Sequence, residues 1–283
     1  PTLDVSMHHA LRRSWFLDEN QHQTDFTWRE QGLKLGAGLP LNYSKGPWFM
    51  GITPSVQFGS YRVGRSADTP DWFESDQVRS LEYSFTAYRQ IRRVARDLGP
   101  RFGQMVDVRF KHAPFGGGDM GRLFSTRLVL FLPGMAPHHS LRLGAAWQSL
   151  EAAPGQPNSI RYRFTSVISP PRGISGLSSQ YLFAGNADYR FPIAWPDLAL
   201  GRWMYIIRLS GNVFADFAMA GGDPMKTEPL SDTVFSRYAS VGADASMRFH
   251  LLRFFAAFDL GVRAVWIPSE GRWVVSMLAG VEI

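Results

Sequence analysis

Cysteine and long apolar runs are both missing from this sequence. The 283 residues include no cysteine, which excludes a disulfide framework, a thiolate zinc site and a thiol nucleophile. Apolar clusters are broken by Arg, Ser or Gly before they reach the ~18–20 residues that a membrane-spanning helix needs. A helical membrane protein is therefore excluded. A membrane β-barrel is not, because its strands alternate lipid-facing and lumen-facing residues and have an unremarkable mean hydropathy.

The charged residues are spread along the chain. Lys and Arg total 30 against 24 Asp and Glu, which gives a net charge of +6. The cations are distributed over strand-like segments and turns rather than clustered, so a nucleic-acid partner is not expected. No signal-like segment follows Pro1, so we interpret the chain as either a processed protein or, in our preferred interpretation, a domain cut from a longer one.

What the sequence does contain is a persistent alternation of apolar and polar residues from Thr27 onward. In one example, Val241, Ala243 and Ala245 alternate with Gly242 and Asp244. Alternation of this length predicts β-strands. Residues 2–16 fit either a strand or, in their second half, a loop. Counting them as a strand gives about twelve strands, and bacterial single-chain barrels have even strand numbers.

Three features favour a membrane barrel over a soluble all-β fold. Several segments exceed the ~5–6 residues of soluble strands and match the ~9–11 that cross a bilayer. Short turns alternate roughly with longer polar loops. Aromatic residues lie near the ends of the apolar faces, as in the aromatic girdles of membrane barrels; they are Trp48, Tyr83, Trp147, Tyr189, Trp266 and Trp273. The sequence thus predicts an all-β, transmembrane antiparallel β-barrel forming a single domain over residues 1–283, with residues 151–176 as a long loop.

Three short motifs follow one another in the second half of the chain: Pro171-Arg172-Gly173-Ile174, Asp188-Tyr189-Arg190-Phe191-Pro192 and Phe214-Ala215-Asp216. With five strands after the first motif, they resemble the surface-antigen superfamily of outer-membrane assembly and translocation barrels, the BAM type. In that superfamily a loop carrying Arg-Gly-aromatic folds into the lumen; here Ile174 stands where the aromatic residue is usual. The resemblance implies an outer-membrane location in a Gram-negative bacterium.

Two upstream segments carry a narrower resemblance. Arg92–Gln104 and Leu132–Gln148 look like parts of barrels that follow a TolB-like β-propeller in larger proteins. This resemblance implies a periplasmic propeller preceding the barrel.

The motif leads to a specific hypothesis about the loop. Asp216 has the parity of a lumen-facing residue, so a paired Arg172 would fix the loop 151–176 in the lumen, with Gly173 beside it and Phe214 packed against the pair. The alternative is an Arg172 that is solvated on an outer loop. The resemblance also implies that the first and last strands form a seam, and the residues assigned to it are Trp273, Val275, Met277, Ala279, Val281 and Ile283.

Enzymatic and metal sites are not expected. Neighbours on a strand point to opposite faces, so neither His8-His9 nor His138-His139 forms a two-histidine metal site. The run 116–119 has no following Lys-Ser/Thr and is interpreted as a loop rather than a phosphate cradle. Ser140 beside His139 does not form a nucleophile–base pair. No catalytic residue, metal ligand or cofactor is assigned.

The resulting functional hypothesis is a non-enzymatic outer-membrane barrel that handles or inserts polypeptides. Its expected partners are outer-membrane lipid, including lipopolysaccharide, and other outer-membrane assembly or secretion proteins. Two alternatives stay open: a passive pore or membrane anchor for a periplasmic domain, and a lipid-acting barrel enzyme. An open lumen would favour the pore, and a lumen occupied by the loop would favour the assembly-type function.

Overall fold

A computed structural model describes residues 1–17, 23–69, 76–92, 96–115, 121–151, 164, 166–175, 177, 179–223, 229–252 and 256–282. These residues form fourteen strands and one 3-10 turn (Leu230–Asp232). The strands are β1 (Thr2–Leu17), β2 (Gln23–Gly38), β3 (Leu41–Asn42), β4 (Trp48–Arg65), β5 (Asp76–Ile91), β6 (Gly103–His112), β7 (Arg122–Pro133), β8 (Ser140–Glu151), β9 (Tyr181–Ala194), β10 (Leu198–Leu200), β11 (Met204–Gly221), β12 (Phe235–Leu251), β13 (Ala257–Ile267) and β14 (Arg272–Glu282).

All fourteen strands of the described residues belong to one antiparallel sheet. Twelve long strands follow one another as neighbours in chain order, while β3 pairs with β4 and β10 pairs with β11. The prediction of an all-β antiparallel fold is confirmed, and residues 2–16 lie in a strand; against the predicted count of about twelve, the sheet has twelve long strands and two short ones. Between β1 and β14, the described residues form no ladder. No helix among the residues described is long and apolar enough to cross a membrane.

Many polar side chains of this sheet are buried and many large apolar side chains are exposed, which is the reverse of the pattern in a soluble protein. On β11, Asp216 is 7% exposed and Phe214 is buried, whereas Val213 is 51% exposed. The same pattern recurs on other strands: Gln148, Asp188 and Ser240 are buried. Large exposed apolar side chains occur on ten of the long strands of the described chain. The sheet therefore has a polar inner face and an apolar outer face.

The two edge strands are the most exposed part of the sheet. Met7 on β1 is 79% exposed and Met277 on β14 is 77% exposed, and Trp273 and Val275 are also exposed. A strand at a sheet edge leaves one row of backbone groups without a ladder partner. These edges include the residues that the sequence assigned to the seam, except Ile283, which lies outside the described residues.

The second motif does not end its strand at the proline. β9 continues past Pro192 to Ala194, and β10 precedes β11. Pro192 is opposite Ser210, next to a register shift between Leu209 and Ser210. A shift of this kind interrupts regular pairing, so a proline, which has no N–H to donate, is tolerated there.

Candidate functional site

The candidate site lies on the inner face where β9 and β11 are adjacent. Their register places Asp188 opposite Phe214 and Asn186 opposite Asp216. Side chains two residues apart on a strand point to the same face. Asp188 and Asp216 are therefore diagonal neighbours on one face, with Phe214 between them.

Arg172 reaches both carboxylates from the loop that precedes β9. Its Nε donates to Asp216 Oδ2 at 2.7 Å, and its Nη2 donates to Asp216 Oδ1 at 2.7 Å. Its Nη1 donates to Asp188 Oδ1 at 2.8 Å, and its backbone N–H donates to Asp216 Oδ2 at 3.0 Å. We call Arg172, Asp188 and Asp216 the arginine clamp. Both carboxylates are buried, and a bidentate pair of this kind is among the stronger polar contacts in proteins.

Phe214 packs against the guanidinium of the clamp. The Cζ atom of Arg172 lies 3.6 Å from the centroid of the Phe214 ring. This distance is within the ~6 Å at which a cation is attracted to an aromatic face. The next loop residues continue the contact, because Ile174 packs against Phe214, Val265 and Ile267. The ring therefore joins the polar clamp to an apolar cluster on β11 and β13.

The turn at Gly173 allows this close approach. Its φ is +82°, and a Cβ atom at this position would lie 3.2 Å from both Ile267 Cδ1 and Val265 Cγ1. The left-handed region is unfavourable for residues with a Cβ. Ile174 N–H donates to Pro171 O at 3.1 Å and closes the turn. Glycine is thus required by both the backbone conformation and the space available.

The clamp is part of a larger hydrogen-bonded network. Asp188 also accepts from Asn186 Nδ2 at 2.9 Å, Asn212 Nδ2 at 3.2 Å and Arg142 Nη1 at 3.1 Å. Asp216 accepts from Ser240 Oγ at 3.4 Å. Burying a charge is costly unless it is paired and hydrogen-bonded. Here both buried carboxylates have several donors.

Further contacts hold the described part of the loop, residues 164 and 166–175, against the inner face. We call these residues the inner segment. Phe164 packs against Val78, Leu123 and Leu150. Gln148 Oε1 accepts from Val167 N–H at 2.9 Å and from Ser166 Oγ at 3.2 Å. The segment therefore contacts β5, β7 and β8 before Arg172 reaches β9 and β11.

The pKa of Arg172 reflects the clamp. Burial lowers it, but hydrogen bonds to Asp216 and Asp188 outweigh burial, so the pKa is raised above its usual value. The guanidinium is consequently charged at any pH at which the protein is folded. The clamp is an ion pair rather than a neutral contact.

The structure brings together Arg172, Gly173, Phe214 and Asp216 of the predicted set. Asp188 belongs to the second motif but was not predicted as a partner of Arg172. Tyr189 lies on the opposite face, where its hydroxyl is 2.8 Å from His139 Nδ1. Pro192 lies near the far end of β9. Of the predicted loop 151–176, residues 152–163, 165 and 176 lie outside the described residues, as do residues 116–119.

The histidine pairs are divided between different partners. His138 Nδ1 is 2.8 Å from Asp97 Oδ1, and His8 Nε2 is 2.7 Å from Glu30 Oε1. No group of three or more metal-ligating side chains occurs in the described part of the chain.

Neither a protein-family model nor a curated protein matches the chain.

Proposed function

We propose that this chain is a non-enzymatic outer-membrane β-barrel domain that handles or inserts polypeptides at the membrane. The observation that carries the proposal is the arginine clamp, which fixes the inner segment against the polar face of the sheet. A loop held against the lumen-facing side is expected of the assembly-type barrels that the motifs resemble, and it would narrow a passive pore.

The distribution of side chains supports a membrane location. Exposed apolar residues such as Val213, Phe217 and Leu260 cover the outer face, while the inner face buries Asp188 and Asp216. A soluble monomer rarely exposes a continuous apolar surface of this kind. In a bilayer the same surface faces lipid, and the polar face lines the lumen.

The clamp supports the resemblance to the surface-antigen superfamily more strongly than the motifs do alone. An Arg-Gly pair in a turn is common in any sequence. Here Arg172 contacts Phe214 and Asp216, which belong to a motif more than 40 residues later in the chain. The three motifs are therefore joined in space at one place on the inner face.

The exposed edges of β1 and β14 support a role for the seam. Both carry unshielded apolar residues, for example Val5 and Val275, and both lack a ladder to each other in the described residues. An unpaired edge can add an incoming strand by backbone hydrogen bonding. In this proposal the edge strands receive the client, while the arginine clamp keeps the inner segment fixed against β9 and β11.

A folding assay tests the proposal directly. The chain is reconstituted into liposomes, a urea-unfolded eight-stranded barrel is added, and its folded fraction is followed by heat-dependent gel mobility. We expect faster folding than in protein-free liposomes of the same lipid. A control preparation with β1 and β14 joined by an engineered disulfide should lose the acceleration and regain it on reduction. Equal rates with and without the chain would overturn the proposal.

A further inference from the structure

A pocket of about 300 Å³ lies beside the arginine clamp on the inner face of the sheet. Its walls come from β7, β8, β9 and β11, and residues 167–172 of the inner segment cover it. Four arginines line it: Arg127, Arg142, Arg172 and Arg190. The only carboxylates among its described lining residues are Asp188 and Asp216.

The strand register explains why these arginines converge. Arg127 is opposite Ala146, and Arg142 is opposite Asp188, which lies two residues before Arg190 on β9. Residues at even spacing share a face, so the three strand arginines all point inward. Small residues on the same face leave the space open, namely Gly144, Ala146 and Ala184.

Both carboxylates of the pocket are already paired with arginine side chains. Asp216 is bound by Arg172, and Asp188 is bound by Arg172 and Arg142. Arg127 and Arg190 form no hydrogen bond or ion pair with any described residue. Asp107, which is opposite Arg127 in the register, is instead bonded to Arg109 and Thr86.

The pocket thus has an excess of two positive charges. Four guanidinium groups face two carboxylates there, and guanidinium groups do not lose their proton in proteins. Unpaired charges near one another in a partly enclosed space are unfavourable. An anion in the pocket would relieve this repulsion.

We propose that this pocket binds a phosphate group, either as free inorganic phosphate or as the phosphomonoester of a lipid headgroup. Guanidinium forks bind phosphate oxygens in a bidentate manner. A phosphoryl group carries about −1.5 to −2 charges at neutral pH, which matches the excess of two. A single carboxylate would neutralise half of that excess. Arg127 and Arg190 supply the free donors.

Isothermal titration of the detergent-solubilised chain tests the site. Inorganic phosphate is titrated at constant ionic strength in chloride buffer, and in a second arm phosphatidic acid is titrated in mixed micelles. We expect saturable heat in at least one arm. Arg127→Gln should weaken binding about tenfold, as expected when a charge-assisted hydrogen bond is removed, and R127Q/R190Q should weaken it further.

Matched variants make the result specific. Arg109→Gln removes another inner-face arginine outside the pocket and should leave binding unchanged. Arg190→Lys keeps the charge but not the planar fork, so intermediate binding is expected.

The two titrations distinguish the sources of the phosphate group. Binding of inorganic phosphate shows that a free anion is sufficient, and binding of phosphatidic acid alone identifies a lipid headgroup; either result supports the site. No saturable heat in either arm, or equal binding by wild type and R127Q/R190Q, would overturn it. Circular dichroism of each variant confirms that it is folded.

Discussion

A single guanidinium makes the decisive contact in this protein. Arg172 uses Nε, Nη1 and Nη2 to bind two carboxylates, and its backbone N–H binds one of them again. A lysine has no planar fork and would not reproduce this geometry. The clamp therefore depends on the arginine side chain itself and not only on its charge.

Removing Arg172 should destabilise the protein strongly. Arg172→Ala leaves two buried carboxylates without their main partner, a change that typically costs about 3–5 kcal/mol. Arg172→Lys should lose less, because one ion pair can re-form. Urea unfolding in lipid vesicles measures both free energies of unfolding. Arg109→Ala is the control, since it removes an inner-face Arg–Asp pair outside the clamp. Equal losses for Arg172→Ala and Arg109→Ala would contradict a special role for the clamp.

Gly173→Ala should destabilise the loop through two separate effects. A left-handed backbone costs an L-residue about 1–2 kcal/mol, and the new methyl group would press on Ile267 and Val265. Gly271 has φ +60° with nothing within 4 Å of its Cβ position, so Gly271→Ala carries only the backbone cost. The difference between their unfolding free energies isolates the packing contribution. A larger loss for Gly271→Ala would contradict the close approach at Gly173.

One carboxylate of the arginine clamp could be predicted from the sequence, and the other could not. The parity of Asp216 predicts its inward direction, because alternation fixes which face each residue takes. The involvement of Asp188 depends on the register between β9 and β11. Alternation alone does not fix that register, since a shift by two residues preserves every face. The second carboxylate was therefore missed.

At the scale of elements, strands and loop differ in how they are specified. The strands have a strict period of two, which explains why their presence and approximate number could be predicted. The inner segment has no period. Its position is determined by contacts distant in the chain, such as Gln148 to Val167 and Arg172 to Asp216. Its route from β5 to β13 is visible only in the structure.

If the sheet closes into a membrane barrel as proposed, the inner segment lies in its lumen and should limit ion flow. In a planar bilayer, the reconstituted wild type should show a small and unsteady conductance. Arg172→Ala frees the segment and should raise the conductance several-fold, while Arg109→Ala should leave it near the wild-type value. Single-channel recording measures all three. A large, steady wild-type conductance that Arg172→Ala does not alter would indicate an open pore instead.

At the scale of the whole molecule, the pairing of the two edges of the sheet decides whether it closes into a barrel. The pattern of apolar outer and polar inner residues requires a closed sheet if the chain spans a membrane, because lipid cannot satisfy an open edge. Closure would bring β14 next to β1 as an antiparallel neighbour. The sequence alternation predicts each strand separately and contains no information on this pairing.

Disulfide cross-linking tests whether β1 and β14 pair to close the sheet. Because the chain has no cysteine of its own, only the engineered cysteines can form a disulfide. Val5→Cys on β1 is combined in turn with Val275→Cys, Met277→Cys and Ala279→Cys on β14. A disulfide needs Cα atoms about 4.4–6.8 Å apart, so one pair at most should form it efficiently in liposomes. Val5→Cys with Val241→Cys, on β12, is the negative control. A failure of all three β14 positions to cross-link would argue against closure at this depth.

The inner segment also has a mechanical consequence. Among the described residues, its apolar contacts run from β5 to the cluster shared by β11, β13 and β14, and they do not include β1, β2 or β4. The inner segment therefore stabilises the strands that it contacts, while β1, β2 and β4 lack this support and can deform more easily. Backbone amides of β9 and β11 should exchange with deuterium more slowly than those of β1 and β2, and Arg172→Ala should reduce that contrast. Any widening of the sheet would then occur by bending of the unbraced side, so the molecule would open asymmetrically.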